Sequence, residues 1–207
     1  MQTVNWNEEW EKNFDPVSIG DQFYLRAPFH KPSPAHRFEI VIQPKMSFGT
    51  GHHGTTSGIL ELVSELQLTD KSVLDMGCGT AILAIAAYLL GSRDIDAIDI
   101  DEWAYTNALE NVLLNNCAEI RVIQGDKSAI PDRTYDVIFA NINRNILLED
   151  MSSYAVHLED DGYLYLSGFY QEDLPLIQKE AEKYGLVMER KLNNDRWIAA
   201  EFRCAKA

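Results

Sequence analysis

The chain has 207 residues, 46% of them hydrophobic, and a formal net charge of −14. This length allows one full core with room for a small appendage. No apolar stretch approaches the ~18 residues of a membrane span, and an acidic surface disfavours nucleic acid while favouring a basic partner.

Acidity is as often a plain solubility device, so charge alone does not choose the partner. The opening Met1-Gln-Thr-Val-Asn5 is no signal peptide, and a soluble, cytoplasmic monomer is expected. Three cysteines, Cys78, Cys117 and Cys204, are scattered; they suit a reducing compartment and offer neither a disulfide framework nor a zinc cluster. Asn5-Trp-Asn-Glu8 has capping-box spacing, and Trp6, Trp10 and Phe14 follow at i, i+4 and i+8. The pattern predicts a short helix ending near Asp15-Pro16, whose apolar stripe either covers the core edge or faces a substrate. Residues 23–26 and 37–43 read as short strands, separated by an irregular connection with Pro28, Pro32 and Pro34.

From Thr55 onward helix and strand alternate. Helices are predicted near 55–66, 81–90, 102–115, 145–157 and 172–184, and strands at 72–76, 94–98, 120–124, 135–141 and 162–168. Val73-Leu74 and Val137-Ile-Phe139 are continuous apolar runs, as in strands buried on both faces. This βα alternation predicts an α/β fold, a Rossmann-like doubly wound seven-stranded sheet. Residues 186–191 and 197–202 are strands joined by Asn193-Asn-Asp195 with no helix between, so the last strand is antiparallel. The expected organisation is a helix and short-strand linker over 1–46, followed by one domain over 47–207.

In such sheets the ligand lies at the carboxyl ends of the strands, at the topological switch point. The first turn reads Asp75-Met-Gly77-Cys-Gly79-Thr-Ala81. A dinucleotide fingerprint needs a third glycine where Ile82 stands, so a pyrophosphate lacks its seat. Gly77 and Gly79 still let a smaller ligand lie against the main chain. Asp99 follows about twenty positions after Gly77, where an acid accepts two ribose hydroxyls. Asp126 ends the third strand, placed to meet an adenine edge, and Asn141 ends the fourth, beside the reacting end of the ligand. An acid at a strand end is also a common helix cap.

Before the first of these strands stands Phe48-Gly-Thr-Gly-His-His-Gly-Thr-Thr56. Its glycines allow close approach of backbone amides, which makes Thr50 and Gly51 candidate cofactor contacts. Thr56 opens a helix whose free N–H groups favour an anion. A P-loop is excluded because Gly54 runs directly into Thr55 with no lysine. His52-His53 lacks a third ligand at suitable spacing, so no metal is expected.

Together with Val73-Leu-Asp-Met-Gly-Cys-Gly79, Leu83-Ala-Ile-Ala86, Ala97-Ile-Asp-Ile-Asp101 and Ala140-Asn-Ile142, this segment resembles the ribosomal protein L-eleven methyltransferase family. Its members are class I S-adenosylmethionine-dependent enzymes that methylate amino groups of a large-subunit ribosomal protein. The resemblance implies S-adenosyl-L-methionine as cofactor, held by Thr56, Gly77, Asp99 and Asn141, and a basic ribosomal protein as acceptor. The family also carries an N-terminal recognition domain, and this chain starts about where the linker after it lies. Ala81 stands where the family usually has glycine, a change suited to a negative φ. Asn143-Arg144 replace the usual Leu-Ala near the acceptor side.

The implied chemistry is in-line attack of a neutral amine on a sulfonium methyl. A free lysine is neutral in roughly one molecule in a few thousand at pH 7. Desolvation and the sulfonium charge lower its pKa, so no strong base is required and alignment dominates. Asn141 is the expected catalytic residue, orienting either the acceptor or the cofactor's amino-acid end, with residues 49–54 closing over the site. Its alternative role is a strand-end turn. Alternative functions are methylation of another protein or small-molecule amine, and a non-catalytic S-adenosylmethionine-binding interaction protein.

Overall fold

Among the described residues the first elements are three short strands, β1 (Val17–Ile19), β2 (Phe23–Arg26) and β3 (Phe38–Val41), in a small sheet of that order. The computed structural model describes residues 15–43 and 54–205. The predicted Trp6–Trp10–Phe14 stripe, Thr50, Gly51, and His52-His53 lie outside them. Next come α1 (Gly54–Val63), β4 (Ser72–Met76), α2 (Ile82–Leu89), β5 (Asp94–Asp99), α3 (Glu102–Leu114) and β6 (Arg121–Gln124). The chain continues through β7 (Tyr135–Asn141), α4 (Arg144–Val156), β8 (Leu158–Tyr170), α5 (Leu174–Glu182), β9 (Leu186–Asn194) and β10 (Trp197–Cys204). Among the described residues no helix is long and apolar enough to cross a membrane.

The large sheet has seven strands in the order β6-β5-β4-β7-β8-β10-β9. Neighbours from β6 to β8 are parallel, and β10 runs antiparallel to both β8 and β9. This is the doubly wound sheet with an antiparallel last strand that the alternation predicts. Chain order reverses between β4 and β7, which therefore flank the switch point.

The period-2 geometry of strands distributes the apolar runs over two cores. Val73, Val137, Phe139 and Tyr165 join α1, α2, α3 and the small sheet on one face. Leu74, Ile138, Ala140, Leu164 and Leu166 join α4 and α5 on the other. Phe23, Leu25 and Ile40 of the small sheet are buried in the first cluster, continuous with α2.

Three local readings change. Strand β1, too short to show alternation, pairs with β2 through a turn at Gly20 (φ +52°). Asn193 and Asn194 are paired strand residues, and the hairpin turn is Asp195-Arg196, with Asp195 at φ +53°, a conformation aspartate tolerates. Strand β8 starts at Leu158, upstream of the charged Glu159-Asp-Asp161 run.

Two polar assemblies fix the ends of the sheet. At the amino edge, Arg121 and Arg133 each bridge Asp94 and Asp96 at 2.6–2.7 Å, and the Tyr135 hydroxyl donates to Asp96 at 2.7 Å. Beside the first face, Asn107, Asn111 and Asn115 line α3 at helical spacing and meet the chain at and beyond β3. Asn115 accepts from Val41 N (2.8 Å) and donates to Val41 O (2.7 Å); Asn111 accepts from Gln43 N (2.8 Å) and Asn107 donates to Gln43 O (3.4 Å).

Candidate active site

Strands β6, β5, β4 and β7 are consecutive neighbours, so their carboxyl ends bring Asp126, Asp99, the Gly77–Gly79 turn and Asn141 onto one edge. The turn is bound to β5 by its backbone: Gly77 N and Cys78 N both donate to Ile98 O (2.8 and 3.0 Å). Asp99 completes the connection, with Oδ2 accepting from Gly79 N (2.8 Å) and Oδ1 from Asp101 N (3.0 Å). An ionised carboxylate has about four acceptor positions. Two therefore hold the protein, which leaves about two acceptor positions over.

The turn is built from left-handed residues: φ is +69° at Gly77, +53° at Gly79 and +61° at Ala81. A side chain at Gly77 is doubly barred, because its Cβ would come within 2.2 Å of Ile142 Cγ2. The space the glycine leaves is thus filled by the residue after Asn141. Ala81 departs from the negative φ that would suit alanine. Its amide donates to Cys78 O (2.8 Å) and its carbonyl accepts from Ile85 N (2.9 Å), so it both closes the turn and caps α2. An L-residue held there costs roughly 1–2 kcal/mol.

Asp75 lies beneath this turn, 1% exposed, with Oδ2 accepting from Ala84 N (3.0 Å). Burial pushes its carboxyl up to about 7 despite that hydrogen bond, and the nearby Asp99 adds to the rise.

Asn141 stands at the end of β7, across from Ser167 of β8. Its Nδ2 donates to Oγ1 of the fully buried Thr56, 3.1 Å away, which joins the head of α1 to the switch point. Its Oδ1 is buried and has no hydrogen-bond partner. A buried, unmet acceptor costs about 1–3 kcal/mol; among the described residues Gln22 Oε1 and Asn107 Oδ1 share that state, and Asn141 differs from them in standing at the switch point. The turn that carries it is wedged: Ile142 packs on Gly77, and its carbonyl lies 2.2 Å from where a Cβ on Gly168 (φ +92°) would be.

The departures near the acceptor side have local tasks. Asn143 caps α4, accepting from Asn145 N and Ile146 N, and Arg144 pairs with Asp173 at 2.7 Å. Asp126 is exposed, and its Oδ1 accepts from Ser128 N (2.9 Å) and Ser128 Oγ (2.6 Å), capping a short turn over 127–129. Of the sequence candidates, the structure thus assembles Thr56, Gly77, Gly79, Asp99 and Asn141, with Asp126 at the rim.

The sequence places Asp75 at the start of the glycine turn but does not mark it as a buried titratable group. Sequence reasoning missed Asn111, signalled only by asparagines repeating every fourth residue. Asn194 was read as a turn residue, but it donates to Gly54 O (3.3 Å) and Ser57 Oγ (3.1 Å) at the head of α1.

Comparison with known proteins gives the family and the fold. A family model described as Ribosomal protein L11 methyltransferase (PrmA) matches residues 1–205. A ribosomal protein L11 methyltransferase of Bacteroides fragilis is 49% identical over 200 residues, spanning 96% of this chain and 71% of the relative. That of Bacteroides thetaiotaomicron is 50% identical with the same coverage. Among solved structures, a ribosomal protein L11 methylase from Lactobacillus delbrueckii subsp. bulgaricus superposes with a TM-score of 0.85 at 27% identity, covering 93% of this chain and 100% of that one. A methyltransferase from Pyrococcus furiosus, 18% identical with a TM-score of 0.66 over 81% of this chain and 90% of its own, shares the fold.

Proposed function

The chain belongs to the ribosomal protein L11 methyltransferase family, and we propose that it transfers methyl groups from S-adenosylmethionine to amino groups of ribosomal protein L11. The cofactor supplies, when bound, an electrophilic methyl on a sulfonium centre. The residues present fit it: Asp99 retains acceptor capacity for a ribose diol, the half-buried Gly77 leaves the turn without a side chain there, and the α1 terminus at Thr56 suits a carboxylate. Asp126 is proposed at the adenine rim, and Thr50 and Gly51 as further contacts. Residues 47–207 are proposed as the catalytic domain, with 1–46 as its helix and strand segment.

The observation that carries the reading is the unpartnered Oδ1 of Asn141. Its amide is oriented by Thr56, so the oxygen is fixed as an acceptor for an ammonium or amine N–H. An amide cannot take up a proton at neutral pH, so Asn141 aligns the acceptor nitrogen while the proton leaves to water. A cytoplasmic monomer acting on a basic protein completes the proposal.

Asn141→Ala tests it. Turnover of L11 with labelled S-adenosylmethionine is expected to fall about a hundredfold, corresponding to about 2.7 kcal/mol of lost alignment. Unchanged turnover and cofactor affinity would reject the assignment. L11 that acquires no label from the wild-type chain, while another amine does, would reject the acceptor and keep the chemistry.

A further inference from the structure

We infer that Asn111 is a positioning residue that holds the left-handed Ala81 turn in its ligand-ready form, and so sets cofactor affinity from behind the site. Asn111 lies fully buried on α3. Its Nδ2 donates to Thr80 O at 3.0 Å, while its Oδ1 accepts from Gln43 N at 2.8 Å. One amide therefore holds two main chains, the glycine turn and the segment just past β3.

The Thr80 carbonyl belongs to the peptide plane preceding Ala81, and the orientation of that plane defines φ at Ala81. A turn with three left-handed residues, one of them alanine, relaxes toward ordinary backbone unless something outside it fixes those planes. On the β5 side, Asp99 fixes Gly79 through its amide. On the α3 side, Asn111 fixes the Thr80–Ala81 plane, two further on, through the Thr80 carbonyl. Only a side chain with a donor and an acceptor a short distance apart performs both tasks in a dry site. Aspartate retains the Gln43 bond and loses the Thr80 bond; leucine loses both. Asn115, one turn further along α3, contacts Val41 and not the glycine turn, which makes it the internal control.

The inference rests on the S-adenosylmethionine reading, and the test separates the two. S-adenosylmethionine is titrated calorimetrically into wild type, Asn111→Asp, Asn111→Leu, Asn115→Ala and the Asn111→Leu/Ala81→Gly pair, at a temperature where circular dichroism shows each folded. Both Asn111 variants are expected to bind at least tenfold more weakly, with Asn115→Ala within threefold of wild type. Glycine at position 81 adopts the left-handed conformation unaided, so the double variant is expected to recover at least threefold. If Asn111→Leu does not fold, Asn111→Ser carries the same cycle. Asn111 variants that bind within twofold of wild type, or a glycine that restores nothing, would overturn the inference. A wild-type chain that binds no S-adenosylmethionine would defeat the cofactor reading. The cycle is then read in urea unfolding, where strictly additive effects of positions 111 and 81 overturn the positioning role and coupling supports it.

Discussion

The two edges of the seven-stranded sheet handle polar groups in opposite ways. At the amino edge two arginines and a tyrosine meet two aspartates, and the buried Asp96 receives three hydrogen bonds. At the carboxyl edge the backbone is left-handed at Gly77, Gly79, Ala81 and Gly168, and a buried amide oxygen of Asn141 has no partner. At the first edge both carboxylates are paired with arginine, although Arg133 Nε has no partner. The second is strained and unsatisfied, as a surface that awaits a ligand is.

The contrast extends to protons. Burial would raise the Asp96 carboxyl, but hydrogen bonds from Arg121 and Tyr135 hold it below the ordinary range. Asp94 is lowered chiefly by its hydrogen bond from Arg133. A lowered carboxyl stabilises the fold above its unfolded pKa, and that contribution is lost as pH falls below about 4. Asp75 behaves inversely: with its pKa raised to about 7, its contribution is whole below about pH 4 and lost as pH rises through 7.

The largest effect expected is therefore a pH slope. Unfolding free energy of the wild type should fall by on the order of 4 kcal/mol between pH 4 and 7 relative to Asp75→Asn. Urea titrations across that range check it, and identical slopes would remove Asp75 as the source. Next comes Asp96→Ala, which strips the Tyr135 hydroxyl of its acceptor and leaves Arg121 and Arg133 with Asp94 alone. A loss of about 3 kcal/mol is expected, with cofactor affinity of the folded fraction unchanged. Weakened binding there would show that the edges are not independent. Asp99→Ala should weaken S-adenosylmethionine binding tenfold or more, about 1.4 kcal/mol, and an unaltered isotherm excludes the ribose role. Smallest is Ala81→Gly: relief of left-handed strain opposes lost methyl burial and a freer unfolded chain, so stability should change by less than about 1 kcal/mol. A loss above 2 kcal/mol by thermal unfolding would mean the alanine is not strained.

Much of the fold was legible because βα alternation is a long-range pattern that local errors do not erase. The strands at 72–76 and 135–141 match the sequence reading to the residue, each built around a short apolar run, Val73-Leu74 and Val137-Ile-Phe139, as in a strand buried on both faces. The misses are of another kind. Strand β1 has three residues, too few for any period, and the Asn194–Trp197 pairing depends on register, which turn composition does not reveal. Within the site, spacing located Asp99 and Asn141, because strand ends in a parallel sheet share one edge. It did not disclose that Ile142 fills the room above Gly77, nor that Ala81 is left-handed. Both depend on how β7 and α2 meet the turn in space.

The asparagine ladder on α3 has one further consequence. A three-stranded sheet presents two open margins, and bare main-chain donors and acceptors along such a margin invite a strand from another molecule. At Val41 and Gln43 those groups are already matched by side-chain amides of the same chain. The helix thus impersonates a neighbouring strand, occupying the β3 margin of the small sheet without adding a strand.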